Sequence, residues 1–532
     1  MSDLWTAGCA GEVEAGWLLR AIAPAGDFGR RRAARERPFR RGDEQAAAAA
    51  IARVARVAGE VSAEALASIQ AAIAACPDPG AALARARSAL PLADADLFEL
   101  TRFIDAVSAV RRDAQHASFA EIAIVPGLDR LAGLLARGRT PARGFYMADE
   151  FDGRLARARA DARALRARYD AERSRIAARV AAFARIEHVR DGEFVLMRDR
   201  VAGPLPPDVR VLREAPTYWL CELTLDPPAL AALAALEQAE ARVGEREDAV
   251  RLSLAATVRD DAGRIDAAVD ALGALDCFVA RVRFACSYDG CVPEIPGDAA
   301  LSVVDARFLP LAATLASRGH RYAPVSLALD GVGVLTGPNM GGKSAALRTC
   351  GFVAVCVALG LPAPAREARV GLFDEIAWIG SGADQDRTSL LSSFGSEVVQ
   401  LRDFLARDRP RALVLVDEFA RTTTPREGRA LVIALLQRLR ARDATGLVAT
   451  HLSGIAEDAG VAHFAVAGLR ALPSREGGEV LDLDAAIERI AAVMDYRVHR
   501  VERDAEPRAD AIALADVLGL DAEVVARARA AL

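Results

Sequence analysis

A glycine-rich segment of the chain has the residue types and spacing that bind a nucleoside triphosphate. It matches the pattern GxxxxGK[ST] and consists of Gly337, Pro338, Asn339, Met340, Gly341, Gly342, Lys343 and Ser344. A short apolar run, 332–336, precedes it, and a helical pattern begins at Lys343. Glycine lets backbone N–H groups approach phosphate oxygens, and a helix N-terminus adds the positive end of its dipole. The segment predicts an ATP site in which Lys343 contacts the β and γ phosphates and Ser344 ligates Mg²⁺.

Lys343 is also the one lysine of the chain, since all the other side chains counted with it as basic are arginines. A GC-rich genome would account for the general use of arginine. It would not account for the position of the remaining lysine, inside a glycine-rich loop where a compact ammonium group suits phosphate. We therefore expect Lys343 to be catalytic as well as phosphate-binding.

A pair of acids follows a second apolar run further along the chain. Residues 412–416 predict a buried strand that ends at Asp417 and Glu418. Ligands of a parallel α/β sheet bind at the carboxyl ends of its strands. We expect Asp417 to hold the Mg²⁺ shell and Glu418 to orient or deprotonate the attacking water. The alternative is a capped strand end with two solvated acids, which the upstream loop makes the less favoured interpretation.

A third apolar strand, 446–450, ends at His451. A histidine next to the metal site can sense or stabilise the γ-phosphate, so we predict that His451 is catalytic. A purely structural histidine is the alternative.

The composition excludes several classes of protein. The chain has 532 residues, 52% of them hydrophobic, and a formal net charge of -5, which predicts a multidomain globular protein without a global basic field. DNA binding would therefore need a local patch. The eight cysteines form no CxxC pair, which favours buried thiols over zinc or disulfides. The acidic N-terminus and the lack of a long apolar run predict a cytoplasmic protein with no membrane contact.

The order of periodic segments predicts the elements that position these residues. Residues 1–125 read as helical, and their basic stretch, 29–41, is either a solvated loop and helix start or a phosphate-contacting patch. Long helices are expected at 151–187 and 229–285, with short strands between them. Two antiparallel helices with a β tip form a lever. From residue 300 the pattern becomes α/β.

These segments divide into three predicted domains. Residues 1–150 would form an N-terminal helical core, 151–300 a clamp-like lever of long helices with a β tip, and 301–532 an α/β ATPase domain with a C-terminal helical element.

The motifs resemble those of the MutS family of DNA mismatch repair ATPases. Thr336–Ser344 is close to that family's P-loop. The run from Asp417 to Thr424 is similar to its acidic motif, with Ala420 and Thr422 where the family has glycine. Further similar runs are Ala449-Thr450-His451, Ser392-Ser393-Phe394, Tyr288 to Glu294, and Met494-Asp495-Tyr496 with the helical tail 508–532.

The resemblance implies a P-loop ATPase domain of ABC type that forms a homodimer. It implies that Ser392 contacts the nucleotide of the partner subunit, and that the segment around Met494–Tyr496 with the tail contributes to dimerisation. The glycine replacements at Ala420 and Thr422 narrow a loop expected at the dimer interface.

The half of the chain before the ATPase domain differs from the family pattern. Helical core and lever already fill about 300 residues, so a short relative without the mismatch-recognition domain is expected. The one Phe-x-Glu match, at Phe119–Glu121, lies in helical sequence and is interpreted as chance. Residues 190–245 contain six arginines and ten acids, a balance unfavourable for phosphate contact at the lever tip.

Two functions remain open from the sequence. The first is a dimeric ATPase that acts on DNA structures without reading mismatches directly. The second is an ATPase of the same type that remodels a protein client, such as an adenosylcobalamin-dependent aminomutase that needs reactivation.

Overall fold

The helices and strands of the chain divide into two units, and most contacts of each unit are internal. The computed structural model describes residues 4–114, 119, 122–140, 144–187, 189, 193–201, 203–338, 341–380, 393–407, 409–470, 493–501 and 511–531. Contacts group 1–74, 113–124 and 271–532 into a first unit, and 75–112 and 125–270 into a second. The nucleotide motifs all belong to the first unit.

The predicted helical character of the N-terminal part is confirmed. Its helices are α1 (Ala7–Glu12), α2 (Ala15–Ala21), α3 (Asp27–Ala33), α4 (Glu44–Glu60), α5 (Ala63–Ala74), α6 (Gly80–Arg87) and α7 (Asp94–Asp113). In α4 the residues Ile51, Val54 and Val57 are buried on one face, as their helical spacing predicts.

The second unit contains long helices and short strands in the part of the chain predicted to form a lever. After α8 (Asp129–Leu135), a helix of 32 residues, α9 (Gly153–Ala184), leads into β1 (Glu193–Met197), β2 (Val209–Glu214) and β3 (Tyr218–Leu223). These strands form an antiparallel sheet with the order β1-β3-β2. The chain returns through α10 (Pro227–Asp260), which packs along α9. Ion pairs Arg159–Glu247, Arg166–Glu240 and Arg175–Asp226 join the helices in antiparallel order.

The second lever helix is not continuous, contrary to the expectation of one helix over 229–285. It ends at Asp260, and α11 (Ala262–Ala285) begins after a single turn residue, Asp261. Asp261 has φ -92° and ψ 5°, outside the helical range, and its buried carboxylate lies 3.7 Å from Arg130. Aspartate breaks helices because its carboxylate competes for hydrogen bonds with nearby backbone groups.

A six-stranded sheet forms the centre of the first unit. Its strands are β6 (Val332–Thr336), β8 (Glu375–Gly380), β9 (Ala412–Asp417), β10 (Thr445–Ala449), β11 (Ala462–Leu469) and β12 (Met494–Arg500), in the order β12-β11-β6-β10-β9-β8. All neighbouring pairs are parallel except β11 and β12. Both faces of a parallel sheet are covered, so β6, β9 and β10 are apolar runs.

The remaining elements of this unit cover the sheet or extend it. They are β4 (Leu301–Ala306), α12 (Leu309–Ser317), β5 (Val325–Leu329), α13 (Lys343–Ala358), β7 (Glu367–Val370), α14 (Ser393–Ala406), α15 (Pro425–Arg440), α16 (Ile455–Ala459), α17 (Ala511–Val517) and α18 (Ala522–Ala530). A second, antiparallel sheet has the order β5-β4-β7.

The first residues of the chain belong to the α/β core. The amide of Ile376 in β8 donates to the Leu4 carbonyl at 2.6 Å, so residue 4 begins a short extension of the sheet. Val13 and Leu18 are fully buried in the cluster that surrounds α13. The contact units therefore do not follow the predicted boundaries at 150 and 300, and the three-domain division stays a prediction.

The segment Met494–Tyr496, expected near a dimer interface, begins β12 at the edge of the main sheet. Met494 packs with Leu514 and Val517 of α17. Whether this region also contacts a second subunit stays a prediction.

Two further observations concern the cysteines and the hydropathy of the helices. Five of the eight cysteines are buried, and Cys286 is exposed. In the part of the chain that the structure describes, no helix is both long and apolar enough to cross a membrane.

Candidate functional site

The glycine-rich loop joins β6 to α13 at the centre of the sheet. Gly342 caps α13 at φ +92°, a conformation that strains any residue with a side chain. A Cβ at Gly342 would also lie 3.0 Å from Cδ1 of Tyr496 in β12. A Cβ at Gly341 would lie 2.8 Å from the Pro338 carbonyl oxygen. Glycine is therefore required at both positions. Asn339 and Met340, predicted to bind nucleotide, lie outside the described residues.

The side chain of Lys343 lies inside this loop and is only 5% exposed. Its Nζ donates to the carbonyl of Gly337 at 2.9 Å and to that of Pro338 at 3.1 Å. It also lies 3.5 Å from Oε1 of Glu418. The lysine thus connects the loop to the end of β9. A buried ammonium group needs such partners, because burial without them is costly.

Glu418 lies one residue beyond β9, between two cations. Its Oε2 accepts a hydrogen bond from Arg421 at 3.1 Å, while Oε1 faces Lys343. Its backbone N–H donates to the carbonyl of Ala449, the last residue of β10, at 3.0 Å. Glu418 has φ +51°, a left-handed conformation uncommon for a residue with a side chain. Such strain persists where the surroundings fix the backbone, and functional sites are common locations for it.

Asp417 is the last residue of β9, next to the first turn of α13. The Ser344 hydroxyl interacts with its carboxylate and favours the ionised form. Its Oδ1 is buried and has no hydrogen-bond partner among the described residues. Burial is the main cause of a raised pKa of Asp417, and the nearby Glu418 raises it further. A buried carboxylate oxygen without a partner, beside a serine hydroxyl, fits the oxygen ligands that Mg²⁺ prefers.

The loop after Glu418 contains a second left-handed residue. Ala420, one of the two residues that replace glycine in the motif resemblance described above, has φ +61°. Its N–H donates to Oε2 of Glu397 at 3.0 Å, and Glu397 in α14 is only 3% exposed. Phe394, from the same helix, packs against Phe419 with ring centroids 6.3 Å apart. Helix α14 therefore fixes the loop that carries Glu418.

Glu397 and Arg421 are site residues that the sequence analysis missed. The position of Glu397 one turn after Phe394 gives a weak signal, because an acid on the inner side of a helix needs a buried partner. The identity of that partner depends on a loop more than twenty residues away and is not readable from the sequence.

We expect Glu397→Ala to lower kcat more than it changes KM for ATP. The variant leaves the N–H of Ala420 without an acceptor, which costs about 1–3 kcal/mol locally and lets the Glu418 loop relax. Glu397→Gln keeps an acceptor oxygen and should retain most of the rate. Steady-state ATP turnover of the two variants makes the comparison. Equal kcat for both variants and the unmodified protein would show that Glu397 does not position this loop.

The other predicted residues differ in how they are placed. His451 follows β10 and is exposed, at the same edge of the sheet as Asp417 and Glu418. No hydrogen bond or ion pair joins His451 to them among the described residues. Ser392 lies outside those residues. The structure thus brings together Lys343, Ser344, Asp417 and Glu418. The catalytic and binding roles of these residues, like those of His451 and Ser392, stay predictions.

Three of the seven arginines in the basic stretch 29–41 pair with acids of their own unit. Arg30 contacts Asp27, Arg32 contacts Glu36, and Arg37 contacts Asp43. Paired arginines offer less charge to a phosphate backbone than free ones do. Both interpretations of the stretch, a solvated loop with a helix start and a phosphate-contacting patch, stay predictions.

Comparisons with known proteins identify similarity in this part of the chain. Residues 333–532 match the family model described as MutS domain V. The chain is 30% identical over 299 residues to "DNA mismatch repair protein MutS" of Syntrophobacter fumaroxidans, covering 55% of this chain and 32% of that protein. It is 31% identical over 280 residues to "Endonuclease MutS2" of Pelotomaculum thermopropionicum, covering 52% and 32%. The chain thus spans about a third of the length of these relatives.

Proposed function

Because the chain belongs to the MutS family through its domain V, we propose that it binds and hydrolyses ATP, using the glycine-rich loop as a P-loop and the end of β9 as the metal site. The observation that carries the proposal is the meeting of Lys343, Ser344, Asp417 and Glu418 around one buried, unpartnered carboxylate oxygen. MutS domain V is the family's ATPase domain. The substrate and partners of this chain remain proposals.

Each residue has a role that its contacts support. The loop glycines expose backbone N–H groups to phosphate, and Lys343 binds the β and γ phosphates. Ser344 and Asp417 would hold Mg²⁺, which supplies charge neutralisation between the phosphates when it is bound. Glu418 orients the attacking water and accepts its proton. His451 is proposed to sense the γ-phosphate from the end of β10.

The contact between Lys343 and Glu418 has a consequence for the order of events. The ammonium group donates to two loop carbonyls and lies 3.5 Å from Glu418. Phosphate oxygens compete for the same ammonium group. Binding of ATP would then release Glu418 from Lys343, so that its carboxylate becomes available to water only when the substrate is present.

We propose a homodimer that assembles through the ATPase domain. Its support is the family resemblance, in which Ser392 reaches the nucleotide of the partner subunit. Two copies with nucleotide between them would couple hydrolysis to closure of a clamp.

The first candidate client is DNA, bound by shape and without direct reading of mismatches. The family of the relatives favours it, since one relative is named a DNA mismatch repair protein and another an endonuclease. The described residues before Glu193 form helices and isolated bridges only, which suits a clamp arm more than a base-reading module.

The second candidate client is a protein, such as an adenosylcobalamin-dependent aminomutase. The surface of the antiparallel β1-β3-β2 sheet favours this candidate. Val195 and Met197 of β1 are 47% and 41% exposed on one face, and Leu212 of β2 is 40% exposed. Residues 190–245 also carry four more acids than arginines. Exposed apolar side chains with an acidic surround suit protein contact better than phosphate contact.

We expect the DNA candidate to show salt-dependent binding to duplex and branched DNA in the presence of ATP. Affinity should fall by about tenfold between roughly 50 and 200 mM salt if only two phosphates are contacted, and more steeply with further contacts. Fluorescence anisotropy with labelled duplex and four-way-junction DNA measures this dependence.

The absence of measurable affinity for either DNA at low salt would contradict the DNA candidate and favour the protein client. Capture with the Glu418→Ala variant in ATP then separates the candidates further, because this variant should hold the client complex. A protein client should be retained after nuclease treatment, whereas a DNA-mediated complex should be lost.

A further inference from the structure

A cavity in the first unit lies away from the nucleotide motifs and is not used by the proposed ATPase mechanism. Its volume is about 670 Å³, within the range of about 300–1,000 Å³ that small-molecule sites occupy. Helices α2, α3, α4 and α11 and the end of α13 supply its wall. All of these wall residues belong to the first unit.

The cavity wall combines apolar side chains with guanidinium groups. The apolar part includes Ile22, Phe39, Val54, Phe278 and Leu359. Five arginines and one carboxylate also line it: Arg30, Arg32, Arg37, Arg53, Arg281 and Glu36. An apolar cavity with a few convergent charged groups is the usual composition of a ligand site.

The carboxylates nearby do not balance these arginines. Asp27 pairs with Arg30 and Asp43 with Arg37. Glu36 is shared, since its Oε1 lies 3.3 Å from Nε of Arg32 and its Oε2 lies 2.5 Å from an Nη of Arg281. The buried carboxylate of Asp276, next to the wall residue Cys277, also interacts with Arg30. Four carboxylates thus face five guanidinium groups, and one positive charge remains in excess.

Of the five arginines that line the cavity, Arg53 is the one that pairs with no carboxylate among the described residues. It is half-buried in α4 and makes no hydrogen bond or ion pair with any other described residue. Arg281 is held differently, since its Nε also donates to the carbonyl of Leu359 at 3.2 Å. A guanidinium group without a partner at an apolar cavity is satisfied by an anion that brings its own apolar body.

We propose that this cavity binds a small organic anion with an apolar body, whose carboxylate, sulfonate or phosphate group pairs with Arg53 and whose apolar part packs against Phe39 and Phe278. The cavity wall includes Ala358 and Leu359, at the opposite end of α13 from Lys343. A ligand there would therefore contact the helix that carries the phosphate-binding lysine. The binding site itself does not depend on the proposed ATPase activity.

The anionic apolar fluorophore 8-anilinonaphthalene-1-sulfonate is a suitable probe. The full chain is titrated in the presence of ADP and Mg²⁺, so that the proposed nucleotide site is filled. Octanoate and octylammonium, which share an apolar chain and differ in charge, are then compared as competitors. Inorganic phosphate is a third competitor, which tests whether charge without an apolar body is enough.

We expect saturable fluorescence from one site per chain, displaced by octanoate and not by octylammonium or phosphate. Arg53→Gln should weaken binding of the probe by about tenfold, the loss expected for one partly buried charge pair. Arg56→Gln, the same change one helical turn further along α4 and outside the cavity wall, should bind the probe as the unmodified protein does. Ala274→Phe, which fills part of the cavity, should also weaken binding.

Circular dichroism should show the same helix content in all variants, because the probe also binds partly unfolded protein. Equal probe affinity for Arg53→Gln, Arg56→Gln and the unmodified chain would overturn the proposal. Displacement by octylammonium as effective as that by octanoate, or full displacement by phosphate alone, would overturn it as well.

Discussion

Replacing Lys343 by alanine should abolish ATP turnover, with a loss of at least about 10²-fold, the usual effect of removing one charged group that stabilises a transition state. The chain has no other lysine, and its arginines have a planar group that does not fit a loop built around a compact ammonium. Lys343 is 5% exposed and donates to the Gly337 and Pro338 carbonyls. A neighbouring side chain cannot take its place.

Binding of a fluorescent ATP analogue and release of phosphate should both be measured for Lys343→Ala. Arg438→Gln is the control, because it removes one positive charge from an exposed position in the last turn of α15. The control should keep the turnover of the unmodified protein. Undiminished ATP binding and turnover in Lys343→Ala would exclude the loop as the phosphate site.

Replacing Glu418 by alanine or glutamine should leave ATP bound but stop its hydrolysis. General-base catalysis contributes about 10²–10⁴-fold, so a loss of that size is expected in kcat. Glu418 is held between Lys343 and Arg421 at the end of β9, beside the proposed phosphate and metal ligands. Glutamine keeps the shape of the side chain and removes its ability to accept the proton.

Single-turnover experiments separate binding from hydrolysis in the Glu418 variants. Glu427→Gln is the control, since Glu427 is an exposed acid in the first turn of α15, and glutamine also suits a capping position there. The control should hydrolyse ATP normally. A Glu418→Gln variant that hydrolyses ATP at the unmodified rate would show that another group activates the water.

Local patterns in the sequence were sufficient to predict the elements that carry the site. The apolar runs before Gly337 and Asp417 are β6 and β9, and the helix that begins at Lys343 is α13. The long helix before residue 187 and the three short strands of the tip were predicted for the same reason. Periodicity and a change of period depend only on neighbouring residues.

Features that depend on distant contacts could not be predicted in this way. The helix break at Asp261 involves a single residue, and the apolar residues on both sides of it keep helical spacing. The burial of Leu4 and Val13 against the α/β core depends on residues more than 300 positions away. The hydrogen bond from Ala420 to Glu397 joins a strained loop to another helix, and nothing in either local sequence specifies it.

Tyr496 has one role that the family resemblance implies and another that its position in the structure indicates. The segment around Tyr496 was expected to contribute to dimerisation, and that role stays a prediction. In the structure its ring lies against Gly342 of the glycine-rich loop. The aromatic ring therefore restricts the loop conformation, a relation visible only when β12 is paired with β11.

The most direct test of the account is the fate of labelled ATP incubated with the purified unmodified protein, with Mg²⁺ and with a chelator in its place. Quenched samples separated by chromatography give the amounts of ATP, ADP and phosphate over time. The account predicts that ADP and phosphate form in equal amounts, only with Mg²⁺, and at a rate that Lys343→Ala reduces by at least about 10²-fold. Absence of ADP formation, or an equal rate with the chelator, would contradict the assignment of Lys343, Ser344, Asp417 and Glu418 as an ATPase site.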